Sequence, residues 1–139
     1  MKLTLFSVEQ ANRLAQEMRP ALEELVRMRA EMQRFGRRLE VMSLALAGAS
    51  ASNPDAAESR ALIARRTELA TQIREGLKAI HAKGCLVKDL DRGLVDFYSL
   101  AGDRLIFLCW QLGEKEVSHW HSLEGGFDAR QPLDTSELE

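Results

Sequence analysis

The segment CWQLGEKEVSHWH, residues 109–121, places a thiol, two carboxylates and two imidazoles in one short stretch bracketed by tryptophans. If Gly113-Glu114 turns the chain tightly, the segment is a β-hairpin. Side chains then alternate across the sheet, with Phe107, Cys109 and Gln111 on one face and Ile106, Leu108 and Trp110 on the other. His119 and His121 share a face. A two-residue loop sets Leu108 opposite His119 and turns both histidines away from Cys109, whereas a loop one residue longer brings Cys109 beside His119. A zinc site built from Cys109, His119 and His121 depends on that one residue of register. Glu114 or Glu116 could serve as a fourth ligand, since zinc takes four protein ligands in structural sites and three plus water in catalytic ones. The plainer reading makes Cys109 a buried small hydrophobe and the tryptophans core, with the histidines hydrogen-bonded or facing water.

Two further polar constellations stand outside this stretch. Lys88-Asp89-Leu90-Asp91-Arg92-Gly93 is an acidic loop, followed by Asp96. Its carboxylates could bind Mg²⁺ or form an acid/base pair, but the spacing is not that of a calcium loop, and turn chemistry is the preferred reading. RFGRR (34–38) and ARR (64–66) form an arginine collar if the two helices that carry them fold back on each other. Interspersed glutamates favour a salt-bridged helix surface over a phosphate grip, and no aromatic residues are interleaved to stack on bases.

The elements that must position these groups are legible in the hydrophobic rhythm. Leu3 and Leu5 alternate with polar residues as in a short strand, and Ser7-Val8-Glu9-Gln10 fits a capping box that starts a helix near Val8. Leu14, Met18, Ala21, Leu25, Met28, Met32, Phe35, Leu39, Met42 and Leu46 then follow an alternating four-three spacing to about Gly48, the seam of a coiled coil. Pro20 inside that run predicts a kink or a break. Residues 48–55 turn the chain. A second helix carries Leu62, Leu69, Ile73, Leu77 and Ile80 on one face and ends at Lys83-Gly84, with Arg66 and Gly76 at seam positions. Folding the hairpin about residue 52 sets Gly84 level with Pro20, so Val8 to Met18 should pack on whatever follows residue 84.

After Gly84 the period becomes two. Leu86-Val87, Leu94 to Tyr98, Arg104 to Gln111 and Glu116 to His121 read as strands of a meander, and the acidic tail from Gly125 ends in about six frayed residues. The expected fold class is α+β: a long antiparallel helical hairpin over residues 1–84, helix 1 kinked near Pro20, then a small antiparallel β-meander over residues 85–139, as one unit. A chain of 139 residues buries a core without disulfide or metal, and its two cysteines form no C-x-x-C pair. The net charge of -2 divides into +4 for residues 1–84 and -6 for 85–139, so the two parts can attract each other. With no signal-peptide pattern and no apolar run long enough to span a bilayer, the expected compartment is the cytoplasm.

FSVEQANRL with a proline soon after, then VKDLDRGLVDF, LCWQLGEKEV, WH and GFDARQPL, resembles the prokaryotic proteins grouped as domain of unknown function family 2203 (DUF2203), over almost the whole chain. The resemblance implies matched positions at Lys88, Asp89, Asp96, Cys109, Trp110 and Glu114, and at Trp120, His121, Gly126, Phe127 and Arg130, among others; His119 is not a firm part of that pattern, and Tyr98 stands where proline is common. Of the matched residues Asp89, Asp96, Glu114, His121 and Arg130 are polar and could converge at one end of the sheet. They would form either a hydrogen-bonded network tying the tail to the hairpin, or a pocket with His121 as proton acceptor and Arg130 as anion clamp.

The leading expectation is a non-catalytic interaction or assembly module, a homodimer formed by mutual burial of the helical seam, with no nucleic-acid or membrane partner. The alternative is a small-ligand-binding protein or enzyme around His121, with Asp89, Asp96, Trp110, Glu114, Trp120 and Arg130 about it and zinc or another divalent metal as cofactor.

Overall fold

A computed structural model of the chain describes residues 3–45 and 54–133. The expected end of helix 1 at Gly48, its seam residue Leu46, most of the 48–55 turn and the frayed last six residues lie outside the described residues.

Helix α1 spans Val8–Ala45. Both halves of the capping box form: the Gln10 amide donates to Ser7 Oγ at 3.1 Å, and the Ser7 amide donates to Gln10 Oε1 at 2.9 Å. The helix continues through Pro20 as a single element, so the expected alternative of a break does not occur. Pro20 is exposed, and the Gln16 carbonyl it leaves without a helical donor can be hydrated on that side. The buried stripe of the amino-terminal half is Ala11, Ala15, Met18, Leu22 and Leu25, and Ala21, placed on the seam by sequence, is exposed. The buried stripe shares Met18 and Leu25 with that seam and adds Ala11, Ala15 and Leu22, while Ala21 falls outside it. Small alanines bring the backbone of this half close to the sheet.

Helix α2 spans Pro54–His81 and ends as expected, with the Gly84 amide bonded to the His81 carbonyl at 3.0 Å. It runs antiparallel to α1. Gly76, weak as a seam residue by sequence, gives up its side chain so that Leu25 can enter: a Cβ there would lie 2.5 Å from Leu25 Cδ2. Arg66 likewise lies across Gly36 of α1.

The remainder forms a five-stranded antiparallel sheet in sequence order: β1 (Leu86–Asp89), β2 (Leu94–Ala101), β3 (Arg104–Gln111), β4 (His119–Ser122) and β5 (Gln131–Pro132). β5 is one strand more than the meander read from sequence. The amino-terminal strand expected at Leu3 and Leu5 does not form; one rung, Phe6 N–H to the Tyr98 carbonyl at 2.8 Å, is all that fits before the helix cap at Ser7. The return strand begins at His119 instead of Glu116, because Lys115 to Ser118 are drawn onto α1. Gln16 Nε2 donates to the Lys115 carbonyl at 3.0 Å, and the Val117 amide donates to Asn12 Oδ1 at 2.5 Å.

The β2–β3 ladder sorts the side chains. Val95, Phe97, Leu108 and Trp110 face α1 and share one apolar core with Ala11, Ala15, Met18 and Leu22, so Val8 to Met18 pack on the sheet as the hairpin arithmetic implied. Burying each larger aliphatic or aromatic side chain here contributes roughly 2 kcal/mol. Leu94, Asp96, Tyr98, Phe107, Cys109 and His121 fall on the opposite face.

The turns between strands supply a test. Gly93 (φ +66°) and Gly102 (φ +64°) both adopt left-handed backbone, but a Cβ on Gly93 would lie 2.6 Å from Leu112 Cβ, whereas one on Gly102 meets nothing within 4 Å. Gly102→Ala should cost about 1 kcal/mol of unfolding free energy for the conformation alone, and Gly93→Ala about 1–2 kcal/mol more for the clash. Equal losses in urea titrations would show that the Gly93–Leu112 approach is not constraining.

Candidate functional site

The face of the sheet turned away from the helices is covered in part by residues 125–129. From β4 the chain turns at Ser122, where the Gly125 amide bonds both the Ser122 carbonyl and its hydroxyl at 3.1 Å, and continues into a single 3₁₀ turn, Phe127–Ala129. Phe127 is held between two guanidinium groups, Arg92 at 4.2 Å and Arg130 at 4.7 Å from the ring centre. Beneath this roof lies a chamber of about 120 Å³, with Asp96, Cys109 and His121 as its floor and Leu94 and Lys88 as its walls.

The three floor residues are 3%, 2% and 3% exposed, which makes them core residues that happen to be polar. Their ligand atoms all lie within 4.8 Å of one another. Strand register brings them together: Asp96 pairs with Cys109 across β2–β3, and His121 sits one step along on β4, opposite Phe107. The His121 ring places Nδ1 2.8 Å from the Ser122 carbonyl and Nε2 3.1 Å from each Asp96 carboxylate oxygen. A carbonyl only accepts, so Nδ1 carries a hydrogen, and Nε2 faces the carboxylate. Burial, and then the negative charge of Asp96, pushes the Cys109 thiol up to about 12.

The five polar residues singled out by sequence divide among separate settings. Asp96 and His121 belong to the buried group. Glu114, Arg130 and His119 form a second cluster beside it on the same face: Arg130 Nη2 donates to Glu114 Oε2 at 2.6 Å and to His119 Nδ1 at 2.5 Å, and Ser118 Oγ lies 3.0 Å from the same nitrogen. His119 stands opposite Cys109 in the β3–β4 ladder, yet its Nδ1 is already engaged. Glu114 also closes the hairpin turn, its Oε1 accepting from the Gln111 amide at 2.7 Å. The turn itself is centred on Leu112-Gly113, one residue earlier than the sequence reading, with Glu114 N–H bonded to the Gln111 carbonyl at 2.9 Å. Asp89 lies apart and caps its own loop by accepting from the Arg92 amide at 3.2 Å.

Trp110 is fully buried on the helix face, its indole donating to the Glu114 carbonyl at 3.1 Å, and Trp120 is half-buried on that same face under Arg104. Neither tryptophan reaches the chamber. Asp91 pairs with Arg29 of α1 at 3.1 Å, and the arginine collar includes the pairs Arg38–Glu58 and Arg65–Glu31. Sequence reasoning did not place Lys88, Gly125 or Gly126 at the chamber. The signal in the sequence was the glycine pair just after the histidine strand.

The thiols yield a prediction. Burial pushes Cys85 up to about 11 and Cys109 up to about 12, so at neutral pH neither offers a reactive thiolate. Disulfide reagents should modify both only as fast as the chain unfolds; rapid modification of Cys109 in folded protein would refute the burial. Because the folded pKa lies above the ordinary 9.0, the stability this thiol confers is complete below pH 9.0 and is lost as pH climbs toward about 12. Cys109→Ala should therefore unfold less steeply with alkali.

Among the described residues, no helix is long and apolar enough to cross a membrane. No curated protein and no solved structure matches the chain. A family model described as "Uncharacterized conserved protein (DUF2203)" matches residues 4–133, a span that holds the helical hairpin, the whole sheet and every residue of the chamber. The chain therefore belongs to the DUF2203 family.

Proposed function

We propose that this chain is a transition-metal-binding domain in which Asp96, Cys109 and His121 are the protein ligands of one zinc-like divalent ion on the covered face of the sheet. The observation that carries the reading is the environment of His121, whose two ring nitrogens both face oxygen acceptors. A neutral imidazole has one N–H, and here Nδ1 uses it; bare Nε2 would then present its lone pair to a buried carboxylate. A cation between them removes that repulsion.

A proton alone would serve the His121–Asp96 pair. The third member favours a metal, because Cys109 adds a soft donor to imidazole and carboxylate, a ligand mix that zinc accepts. Zinc–donor lengths of about 2.0–2.3 Å set tetrahedral ligand atoms roughly 3.3–3.8 Å apart, close to the 3.1 Å and within the 4.8 Å found here. His121 Nδ1 donating to a backbone carbonyl is the outer contact that orients metal-bound histidines. Three protein ligands leave one position open, and the chamber adjoins it.

Protein purified without nickel resin, stripped with chelator and titrated with Zn²⁺ should take up about one ion per chain and melt at higher temperature. Cys109→Ser and Asp96→Asn should each weaken uptake by at least the roughly 10–100-fold that loss of an outer-shell partner costs. Uptake that is absent, or unchanged in both variants, would end the reading.

A second reading rests on the far end of the hairpin, where Leu44 is 83% exposed and Val41 and Ile63 are also open to solvent. These three lie off the four-three seam, whose Met42 is buried, and form an apolar patch that self-association would cover. Light scattering at micromolar concentration should then give two chains per particle, and Leu44→Glu with Ile63→Glu should give one. A single chain per particle for the unaltered protein would exclude it.

A further inference from the structure

The chamber beside the metal ligands has its own chemistry. Apart from the ligands, its one charged lining residue is Lys88, an exposed residue at the chamber rim that forms no ion pair among the described residues. Leu94 and Phe127 supply apolar surface. The Lys88 ammonium lies 4.6 Å from the centre of the Phe107 ring, and Phe107 is in turn the β3 neighbour of His121, with the two rings 5.4 Å apart. The lysine thus arches over β2 toward the ligands.

Charge then selects the occupant. A divalent ion with one carboxylate, one thiolate and one neutral imidazole is electrically neutral, and Lys88 leaves the chamber with one positive charge. A monoanion at the open position balances the Lys88 ammonium at the chamber wall, whereas a dianion would set a second negative charge beside the buried Asp96 and Cys109. Size narrows it further, since about 120 Å³ admits only a small ligand.

We propose that the metal centre binds a small planar monoanion of the carboxylate or bicarbonate class, which replaces water at the open coordination position and is held from the other side by Lys88 under the Gly125–Phe127 roof. This rests on the metal reading above. No covalent bond in the anion forms or breaks; one metal-bound water leaves as one anion oxygen enters.

The test uses full-length protein loaded with Co²⁺, whose visible bands report both occupancy and ligand exchange. Titration with acetate and with bicarbonate should change the bands saturably, and inorganic phosphate, largely dianionic at neutral pH, should bind at least about tenfold more weakly. Lys88→Met should leave cobalt uptake intact while weakening acetate about tenfold, and Lys88→Arg should restore most of it. Cobalt bands that appear but do not respond to anions, or respond equally in Lys88→Met, would overturn the proposal and leave the metal site standing. Absence of cobalt bands would overturn both.

Discussion

The ladder between β2 and β3 is the constraint on which the rest depends. Eight consecutive pairs, from Leu94 with Gln111 to Ala101 with Arg104, fix one register along both strands. Because side chains alternate, that register simultaneously sends Val95, Phe97, Leu108 and Trp110 to the helices and Asp96, Cys109 and Phe107 to the other face. A slip of one residue would exchange the two sets, burying a carboxylate against Ala11 and Ala15 and exposing an indole. Core and site are thus specified by the same pairing, and neither can be repositioned without the other.

Helix α1 serves as the platform against which this ladder is held. Its first turns meet the sheet through alanines, while Asn12, Gln16 and Arg19 hold the backbone of residues 114–117 from the side. That grip lengthens the β3–β4 connection from a tight turn to a packed loop. The longer connection puts His119 and His121 on the face of Cys109. Arg130, reaching back from the segment before β5 to Glu114 and His119, then fastens the roof over the chamber. Polar contacts at the loop decide, at a distance, which groups share the interior.

A buried carboxylate, thiol and imidazole are an expensive floor for a small sheet. An apolar trio of similar volume would pack there without desolvation cost, and the sheet already has a full apolar core on its helix face. These groups converge on one another, with His121 also bonding the Ser122 carbonyl, whereas in the neighbouring Glu114–Arg130–His119 cluster a guanidinium faces the carboxylate.

The sequence by itself determined the α+β architecture, the capping box at Ser7, the end of α2 before Gly84 and the bounds of β3, because each rests on local periodicity or on hydrogen bonds a few residues apart. It also named Asp96, Cys109 and His121, though in different groups. Which of them meet was decided only by tertiary structure: Asp96 and His121 are 25 residues apart, and their contact follows from the length of a loop set by α1. Ala21 was misplaced for a related reason, since a helix that packs on another helix at one end and on a sheet at the other turns two stripes inward, and a single spacing rule sees one. Local rhythm fixes elements; side-chain encounters across them depend on register and packing, which no single segment encodes.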